Sequence, residues 1–414
     1  MQGLRLLLVA GLVAGVAACT QEDPRRPVDE STAFQQQLQT QLIMAKPGDV
    51  ITISAGVHAI NRGLSLNVSG VTIRGEGMDK SILSFKGQVQ GAEGLLVNAS
   101  DFTIEDLAIE DTAGDGLKIN EGRNIVIRRV RAEWTNGPDE QNGAYGIYPV
   151  QTENLLLEEC VAIGASDAGI YVGQSRNVVV RNNRAERNVA GIEIENTFDA
   201  DVYGNTANDN TGGILIFNMP DLPQPGHSTR VYQNTIRANN TDNFGAEGTP
   251  VASVPAGSGV VIYANDKIEI FDNDIADNDT ANVIISSYYG SDLQGTRELA
   301  ANYDPYPETI FIYGNRFSGG GASPAGLDLK ALKVAMFGLT GSFPDILWDG
   351  YVNTAKIDAE GKLKAEYAIC VDNGDAQVLN ADLGNNSDTI VVGDEQHRCV
   401  HEKLPAVALT APLG

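Results

Sequence analysis

The chain has 414 residues, of which 42% are hydrophobic and 6% are aromatic, with 45 glycines. This hydrophobic content excludes a disordered chain, and few aromatics with many glycines favour short strands joined by tight turns. The formal net charge of −25 excludes nucleic acid and anionic lipid surfaces as partners, because both would be repelled.

The first eighteen residues have the features of a bacterial export signal. A positively charged start precedes an apolar stretch, Leu6 to Val16, which is too short to cross a bilayer and leads into Ala17-Ala18-Cys19. This ending resembles a bacterial lipobox, in which the cysteine is acylated and becomes the mature N-terminus. We therefore predict a signal peptide over 1–18, a lipid on Cys19 and a polar tether over 19–30. Threonine after the cysteine favours an outer membrane lipoprotein whose only membrane contact is this lipid.

A short helix is predicted next. Residues Ser31 to Ala45 can form an amphipathic helix, and Pro47-Gly48-Asp49 would end it. Such a helix would cover the first strands of the repeat that follows, whose edges would otherwise be unpaired.

From Val50 to Asn315 the chain repeats a unit of 22 or 23 residues, lengthened in places by insertions. One line of asparagines ends successive apolar strands, a second line lies five residues further on, and a line of glycines opens another strand. The first line is Asn183, Asn205, Asn234, Asn273 and Asn315. The second is Asn188, Asn210, Asn239 and Asn278. The glycines are Gly94, Gly116, Gly146, Gly169, Gly191, Gly213 and Gly259.

A unit of this length with three short strands matches one coil of a parallel β-helix. Equivalent strands stack at about 4.8 Å per coil, and alternate residues point inward. Asparagine tolerates left-handed geometry at the corners and can bond its equivalents along the stack. We therefore predict an all-β fold, a right-handed parallel β-helix of about ten coils with its helical cap, over residues 31–320.

After Gly319-Gly320-Gly321 the repeat stops, and Leu327 to Leu339 is predicted to be a helix. Residues 321–414 are interpreted as a C-terminal cap or a small disulfide-containing domain. Export permits disulfides, and we predict one between Cys370 and Cys399, which share this segment. Cys160 falls at an inward position and is predicted to be a buried thiol.

The glycine-led strands carry the candidate ligand-binding residues. Residues two and four after each glycine should face outward, which places tyrosine, lysine and glutamate side chains in columns on successive coils. The insertion 131–145 leads into this sheet, and insertions tend to line the binding face of a solenoid. The predicted ligand-binding residues are Lys118, Trp134, Tyr145, Tyr148, Tyr171, Glu193 and Glu195.

These residue types suit an extended polysaccharide, because aromatic rings cover apolar sugar faces and carboxylates accept hydroxyl hydrogen bonds. Ordinary outward residues of a β-sheet explain the same columns, since tyrosine has a high β-propensity. A lysine–tyrosine pair could abstract a proton beside a uronic carboxylate, as in lyases and epimerases. The sequence leaves open whether the protein is an enzyme, and no catalytic residue is assigned.

Two further groups could bind a metal, although neither is assigned as a site. Asp272, Asp274, Asp277 and Asp279 could hold Ca²⁺, but acids in solvated turns explain the same run. His397 and His401 flank Cys399, whose predicted disulfide would remove its thiolate as a ligand.

Four segments resemble a family of exported proteins with tandem parallel β-helix repeats: Gly143–Val150, Ala165–Gln174, Asn188–Asn196 and Gly212–Asn218. The resemblance covers roughly Gly48 to Asn315 and includes the tail around Leu404-Pro405-Ala406-Val407. It implies a lipoprotein signal and a neighbouring gene for an exported haem-binding, cytochrome-like protein. A non-catalytic scaffold that docks this haem protein is therefore the alternative function.

More distantly, the repeats are similar to those of carbohydrate-binding proteins, sugar hydrolases and periplasmic NosD-type proteins. The Asp-Pro-His-Asp signature of mannuronan epimerases is absent, and so is the combination of Asn-Thr-Asp with paired aspartates that polygalacturonases have. No catalytic role is therefore carried over from these families.

Overall fold

The structure, a computed structural model, describes residues 28–29, 32–290, 298–393 and 395–410. The predicted signal peptide, Cys19 and most of the predicted tether lie outside these residues. Within the described part of the chain, no helix is long and apolar enough to cross a membrane.

Each coil contributes strands to three parallel sheets, as predicted. Sheet A, the glycine-led sheet, contains Arg62–Leu66, Gln90–Val97, 117–120, 145–150, Ala168–Gly173, Ala190–Glu195, Gly212–Phe217, Ser258–Tyr263, Ala281–Ser286, Ile346–Trp348 and Val378–Asn380. Sheet B contains Val50–Thr52, Thr72–Arg74, 102–105, 123–128, 153–158, Arg176–Arg181, Phe198–Tyr203, His227–Tyr232, Asp266–Phe271, Glu308–Tyr313 and Ile369–Asp372.

Sheet C contains Val28–Asp29, Gly56–Ala59, Ser81–Ser84, 107–110, 130–133, Val161–Ile163, Arg184–Glu186, Thr206–Asn208, Thr235–Arg237, Asp274–Ala276 and Arg316–Ser318. Three long strands turn corners and so belong to more than one sheet: Phe102–Glu110, Leu117–Glu133 and Tyr145–Glu158. One strand, Val391–Gly393, pairs antiparallel with the end of sheet A.

The cap helix is Thr32–Met44, close to its predicted bounds. Leu38 and Leu42 lie one turn apart and are buried against the first coils. Polar side chains of this helix form hydrogen bonds with backbone groups at the open edge of sheet A. The Asn61 amide donates to Gln35 Oε1 at 2.8 Å, and Gln39 makes two hydrogen bonds with the backbone of Ser65.

The predicted asparagine ladders are present and buried. In the first ladder, Asn183 Nδ2 donates to Asn205 Oδ1 at 2.9 Å, and Asn205 Nδ2 donates to Asn234 Oδ1 at 3.0 Å. Each of these oxygens also accepts the backbone amide of the preceding asparagine, at 2.9 Å. The ladders therefore satisfy polar groups at corners that would otherwise lie unpaired inside the helix.

The parallel stack extends beyond residue 320, where the sequence analysis placed the end of the β-helix. Ile346–Trp348 pairs with Ala281–Ser286, and Ile369–Asp372 pairs with Glu308–Tyr313. The first asparagine ladder also continues from Asn315 to Asn373. A helix between these strands, Leu327–Phe337, lies in an insertion that interrupts the repeat.

The cysteines lie where the sequence indicated. Cys370 and Cys399 form the predicted disulfide, which joins the last strand of sheet B to the C-terminal tail. Cys160 is a buried free thiol, and burial raises its pKa to about 12. It is therefore protonated and unreactive at neutral pH.

Candidate functional site

The outer face of sheet A becomes more buried along the helix axis. Lys118, Tyr148, Tyr171 and Glu193 occupy equivalent outward positions on four successive coils, as predicted. Lys118 and Tyr148 are half-buried, but Tyr171 and Glu193 are 4% and 2% exposed. The column faces outward as expected, and its second half is closed rather than open.

Insertions close this second half. Val251 and Val254 from one insertion, and Tyr288 from another, pack in an apolar cluster outside the β-helix core. Sheet A contributes outward residues to the same cluster, among them Leu215 and Val261. The sequence analysis identified these insertions as possible walls of a groove, whereas they form a second core over the later coils.

Three tyrosines meet where the open and closed halves join. The ring centroids of Tyr145 and Tyr148 are 4.5 Å apart, and those of Tyr145 and Tyr171 are 4.6 Å apart. The Tyr171 ring lies along its own strand over Gly173, where an added Cβ would be 2.3 Å from the ring. Glycine at 173 is therefore required for the position of this tyrosine.

Three carboxyl groups surround the tyrosines. Tyr171 donates to Glu195 Oε1 at 2.5 Å, and Tyr145 donates to Asp167 Oδ2 at 3.4 Å. Glu193 lies beside Tyr171 on the next coil and is buried. Its Oε2 has no hydrogen-bond partner among the described residues. We call this group the tyrosine–acid cluster. It comprises Tyr145, Tyr148, Asp167, Tyr171, Glu193 and Glu195.

The carboxyl groups of this cluster have raised pKa values. Burial, together with the nearby Glu195, raises the pKa of Asp167 to about 7. Burial and then repulsion from Asp167 and Glu195 raise the pKa of Glu193 well above its ordinary value. Burial also raises the pKa of Glu195, against the hydrogen bond from Tyr171. The cluster therefore holds protons at neutral pH.

The tyrosines remain neutral in the same range. Burial raises the pKa of Tyr148 to about 12 and raises those of Tyr145 and Tyr171 further. Each hydroxyl group is therefore both a donor and an acceptor of hydrogen bonds.

A lysine stands at the open end of the cluster. Lys118 Nζ lies 3.8 Å from both Glu93 Oε1 and Asp115 Oδ2, and 4.8 Å from the ring centroid of Tyr148. Burial raises the pKa of Asp115 to about 6, although Lys118 opposes the shift. We call Glu93, Asp115 and Lys118 the mouth of the site.

Asp115 and Asp167 were not identified from the sequence. They lie at corners, outside the alternating strand positions on which the outward columns were built. Both, however, shortly precede glycine-led strands, in Gly114-Asp115-Gly116 and Asp167-Ala168-Gly169. This position relative to the glycine is a signal that could have located them.

Trp134 does not line the site, contrary to the sequence prediction. Its side chain is 5% exposed, and Nε1 donates to the carbonyl of Thr112 at 2.8 Å. The ring packs close to Gly143 at the other end of the same insertion. Trp134 therefore holds the insertion 131–145 in place and offers no ring face to a ligand.

The acidic run considered for Ca²⁺ does not gather into one site. Asp274 binds two arginines, Arg237 and Arg316. Asp272 and Asp277 occupy left-handed turn positions. The run therefore has the structure of turn acids on a solvated edge, the second interpretation of the sequence.

A different set of acids lies closer together. Ligand oxygens of Asp266, Asp304 and Glu308 lie within 4.8 Å of one another. Lys356 Nζ donates to Asp304 at 2.7 Å and also binds Glu308. The Lys356 ammonium group therefore already binds two of these three acids and offsets part of their charge.

The two C-terminal histidines are held by backbone carbonyls. His397 Nδ1 lies 3.0 Å from the carbonyl oxygen of Ile369, and His401 Nε2 lies 2.8 Å from that of Ala368. Cys399, which lies between them in sequence, is in the disulfide. These contacts give both rings a structural role beside the last coil.

The tyrosine–acid cluster and its mouth have two chemical capacities. Carboxyl and tyrosine oxygens can exchange hydrogen bonds with the hydroxyl groups of a ligand. Asp115 and Asp167 have pKa values near neutrality, and such groups can give or take a proton. Both capacities fit a polyhydroxylated ligand.

Solved structures similar to this one share its architecture. The A-module of mannuronan C-5 epimerase AlgE4 from Azotobacter vinelandii superposes with a TM-score of 0.57 at 18% identity, covering 84% of this chain and 92% of that one. The A-module of mannuronan C-5 epimerase AlgE6 from the same organism gives 0.50 at 17% identity, covering 82% and 88%. At these identities the likeness is one of fold.

No curated protein matches the chain in sequence. Residues 55–224 and 140–297 match the family described as "Right handed beta helix region", and together they span more than half of the chain. The repeat, the three parallel sheets and this match agree. The chain belongs to the right-handed β-helix family.

Proposed function

We propose that this protein binds an extended polysaccharide along the outer face of sheet A, at the tyrosine–acid cluster and its mouth. The observation that carries the proposal is Tyr148, a half-buried tyrosine whose ring centroid lies 4.8 Å from Lys118 Nζ at the open end of the tyrosine–acid cluster. Behind it, Glu193 is a buried carboxyl group whose Oε2 has no partner among the described residues, and an unpartnered buried polar group costs free energy of roughly 1–3 kcal/mol. The accessible ring and the mouth would make the first contacts with a sugar.

The length of the outward column on sheet A favours an extended ligand. Lys118, Tyr148, Tyr171 and Glu193 span four successive coils, which is about 15 Å at the strand spacing of a β-sheet. The accessible part begins at Lys118 and Tyr148 and ends where the insertions close the face. A sugar chain lying along the axis would enter at the mouth and place one end against the cluster.

The charges favour a neutral polysaccharide over a polyuronate. The cluster and mouth contain five carboxyl groups and one lysine, and Lys118 already lies beside Glu93 and Asp115. The whole chain also has a formal net charge of −25. A chain of uronic acids would therefore be repelled, whereas hydroxyl groups would bind to the carboxyl and tyrosine oxygens.

Titration of the soluble chain from residue 20 with neutral oligosaccharides, and in parallel with alginate, tests this proposal. Tyr148→Ala is expected to weaken binding of the neutral ligand about tenfold, equivalent to about 1.4 kcal/mol. Tyr203→Ala is the matched control, because Tyr203 is a half-buried outward tyrosine on sheet B. Equal affinities for Tyr148→Ala and Tyr203→Ala, or a preference for alginate, would contradict the proposal.

The same incubations distinguish a binding protein from an enzyme. In hydrolysis of a glycosidic bond, one of the proton-holding groups Asp115 and Asp167 would protonate the leaving oxygen and the other would take a proton from the attacking water. Mass spectrometry of the ligand after incubation would detect shortened chains, with one water added for each bond cut. Unchanged ligand with retained binding would assign the site to recognition alone.

We also propose that the protein is held at the outer membrane by a lipid on Cys19. The lipobox-like ending Ala17-Ala18-Cys19 and the single short apolar segment support this. Labelling of cells with a palmitate analogue should mark the wild-type protein and not Cys19→Ser. Labelling of both proteins, or of neither, would contradict the anchor.

A further inference from the structure

The C-terminal tail crosses the outer face of sheet B. Residues 400–410 follow the disulfide and contain neither helix nor strand. Lys403 Nζ lies 4.5 Å from the ring centroid of Tyr313, on the tenth strand of sheet B. From there the tail runs back towards earlier coils, with Thr410 reaching Asn154. It therefore travels along the helix axis, across the strands.

Backbone amides of every third residue bind side chains of the sheet. The backbone of Leu404 hydrogen-bonds to the Glu269 carboxylate. The Val407 amide donates to Asp201 Oδ2 at 3.2 Å. The Thr410 amide donates to Asn154 Oδ1 at 2.8 Å. These contacts involve the tail's main chain, so they are available to other sequences.

The acceptors are spaced two coils apart. Glu269 aligns with Arg230, which aligns with Asp201. Asp201 aligns with Val179 and then with the strand that contains Asn154. Each step of three tail residues therefore crosses two coils, or about 9.6 Å along the helix axis at the strand spacing, and the second step also shifts by two residues along the strand, from the position of Leu156 to Asn154.

This spacing matches the geometry of a polyproline II helix. Such a helix has three residues per turn and rises about 3.1 Å per residue, or about 9.3 Å per turn. The same side of the backbone therefore meets the sheet at Leu404, Val407 and Thr410. Pro405 falls between these positions, where its missing amide removes none of the three contacts.

The sheet beneath the tail forms a groove whose floor is apolar at both ends and charged in the middle. The outward residues Leu156, Val179 and Phe311 are buried, and the coils between Val179 and Phe311 carry Asp201, Arg230 and Glu269 at the same position. Burial continues for one more coil, to Val126, and the equivalent residues further back, Thr72 and Thr103, are only half-buried. The buried part of the strip therefore coincides with the coils that the tail crosses, plus one coil beyond.

A row of stacked rings lies beside this strip, two residues along each strand. Successive ring planes differ by 11°, 8° and 2°, and their centroids are 4.7, 4.8 and 5.0 Å apart. The row consists of Tyr203, Tyr232, Phe271 and Tyr313. It gives the groove a rigid wall with the same repeat as the coils.

We propose that the outer face of sheet B is a binding site for an extended, proline-containing peptide, and that the chain's own residues 404–410 occupy it. Glu269, Asp201 and Asn154 recognise the peptide by accepting its backbone amides at every third residue. This site is separate from the polysaccharide site on sheet A and does not depend on it.

Two proline substitutions in the full-length soluble chain test the register. Val407→Pro removes the amide that binds Asp201 and retains a φ suited to polyproline II geometry. Ala408→Pro is the matched control, since no hydrogen bond from the Ala408 amide is found among the described residues. Hydrogen exchange resolved to single amides should show Leu404, Val407 and Thr410 protected in the wild type, and Ala406 and Ala408 unprotected.

Val407→Pro should raise the exchange rates of Leu404 and Thr410 at least tenfold, whereas Ala408→Pro should leave them unchanged. A fluorescent peptide with the sequence of residues 402–414 should then bind Val407→Pro at least tenfold more tightly than the wild type, whose groove is filled. Uniform exchange across the wild-type tail would overturn the proposal. Equal release by the two prolines, or no peptide binding to Val407→Pro, would also overturn it.

Discussion

The outer faces of sheets A and B belong to the same coils, but they surround a buried glutamate with different groups. On sheet B, the Glu158 carboxylate accepts hydrogen bonds from Arg128 Nε at 2.5 Å and from Arg181 Nε at 2.7 Å. On sheet A, Glu193 has no cation in contact among the residues that the structure describes, and it lies near the acids Asp167 and Glu195. The strand geometry is the same, so the difference comes from the side chains alone.

The pKa values follow this difference. Burial raises the pKa of Glu158, but hydrogen bonds from Arg128 and Arg181 bring it below its ordinary value. Burial and repulsion move the pKa of Glu193 the other way. Ionised Glu158, held by two arginines, therefore stabilises the folded chain, whereas the acids of the tyrosine–acid cluster are kept at a cost to stability. A face that keeps such a cost is the better place to look for a ligand site.

The largest expected effect is on sheet B. Glu158→Gln removes a carboxylate that binds two arginines, and should lower the free energy of unfolding by about 3 kcal/mol. Thermal and urea denaturation would measure the loss. Glu153→Gln is the control, because Glu153 pairs with an Arg176 side chain that is 54% exposed, and should change stability little. Equal losses of unfolding free energy in Glu158→Gln and Glu153→Gln would contradict the stabilising role given to Glu158.

The second effect is a dependence of stability on pH that comes from sheet A. Burial raises the folded-state pKa values of Asp115 and Asp167 to about 6 and about 7, above their unfolded values. Their contribution is present below the unfolded pKa and is lost as the pH rises through 6 and 7. Stability should therefore fall by about 3 kcal/mol between pH 5 and pH 8, because the pKa of Asp167 alone lies about two units above pH 5 and each unit corresponds to about 1.4 kcal/mol. Melting curves across this range test it, and Asp167→Asn should flatten the profile.

Below pH 5 the paired Glu158 of sheet B reverses the trend. The pKa of Glu158 is lowered in the folded state, so its contribution is lost as the pH falls through that value. A maximum of stability near pH 5 is therefore expected. A melting temperature that is flat from pH 5 to pH 8 would mean that the acids of sheet A are ionised and solvated.

A third, smaller effect concerns the tyrosine position. Gly173→Ala would place a methyl group against the Tyr171 ring, and should cost about 1.5 kcal/mol and displace the ring from Glu195. Calorimetry would measure the cost, and ligand titration the loss of the site. Gly87→Ala should be neutral, because an added Cβ there has no atom within 4 Å. A silent Gly173→Ala would show that Tyr171 can move without strain.

The smallest expected effect, that of Glu193→Gln, gives the most direct comparison of the buried acids on the two sheets. Glu193→Gln replaces a protonated carboxyl group with an amide of similar shape, and should change stability at pH 5 by less than about 1 kcal/mol. The same substitution type at Glu158 is expected to be far more damaging. Parallel denaturation of the two variants at pH 5 compares the faces directly. A loss for Glu193→Gln as large as that for Glu158→Gln would contradict the assignment of Glu193 as protonated.

The periodic parts of the molecule could be predicted from the sequence. Asn183, Asn205 and their equivalents recur at a fixed interval because each coil needs the same corner, and a strict interval is visible without a structure. The outward register of Lys118 and Tyr148 followed from strand alternation. The cap helix and the disulfide could also be read from local features.

The parts that break the period could not be predicted. The coil containing Ile369–Asp372 follows a long insertion with its own helix, so its asparagine, Asn373, stands apart from the earlier series. Trp134 and the burial of Glu193 depend on where insertions fold back, which the repeat does not specify. Asp115 and Asp167 lie at corners, where no alternation distinguishes inward from outward side chains.

The two ends of the solenoid have a consequence for assembly. A stack of parallel strands can grow by adding an identical unit to either open edge, which is the route to fibres. At one end Gln35 and Gln39 of the cap helix already fill the hydrogen-bonding positions of Asn61 and Ser65. At the other end the antiparallel strand Val391–Gly393 presents a hydrogen-bond pattern that a parallel coil does not match. The addition of a further parallel coil through sheet A is therefore disfavoured at both ends of the solenoid.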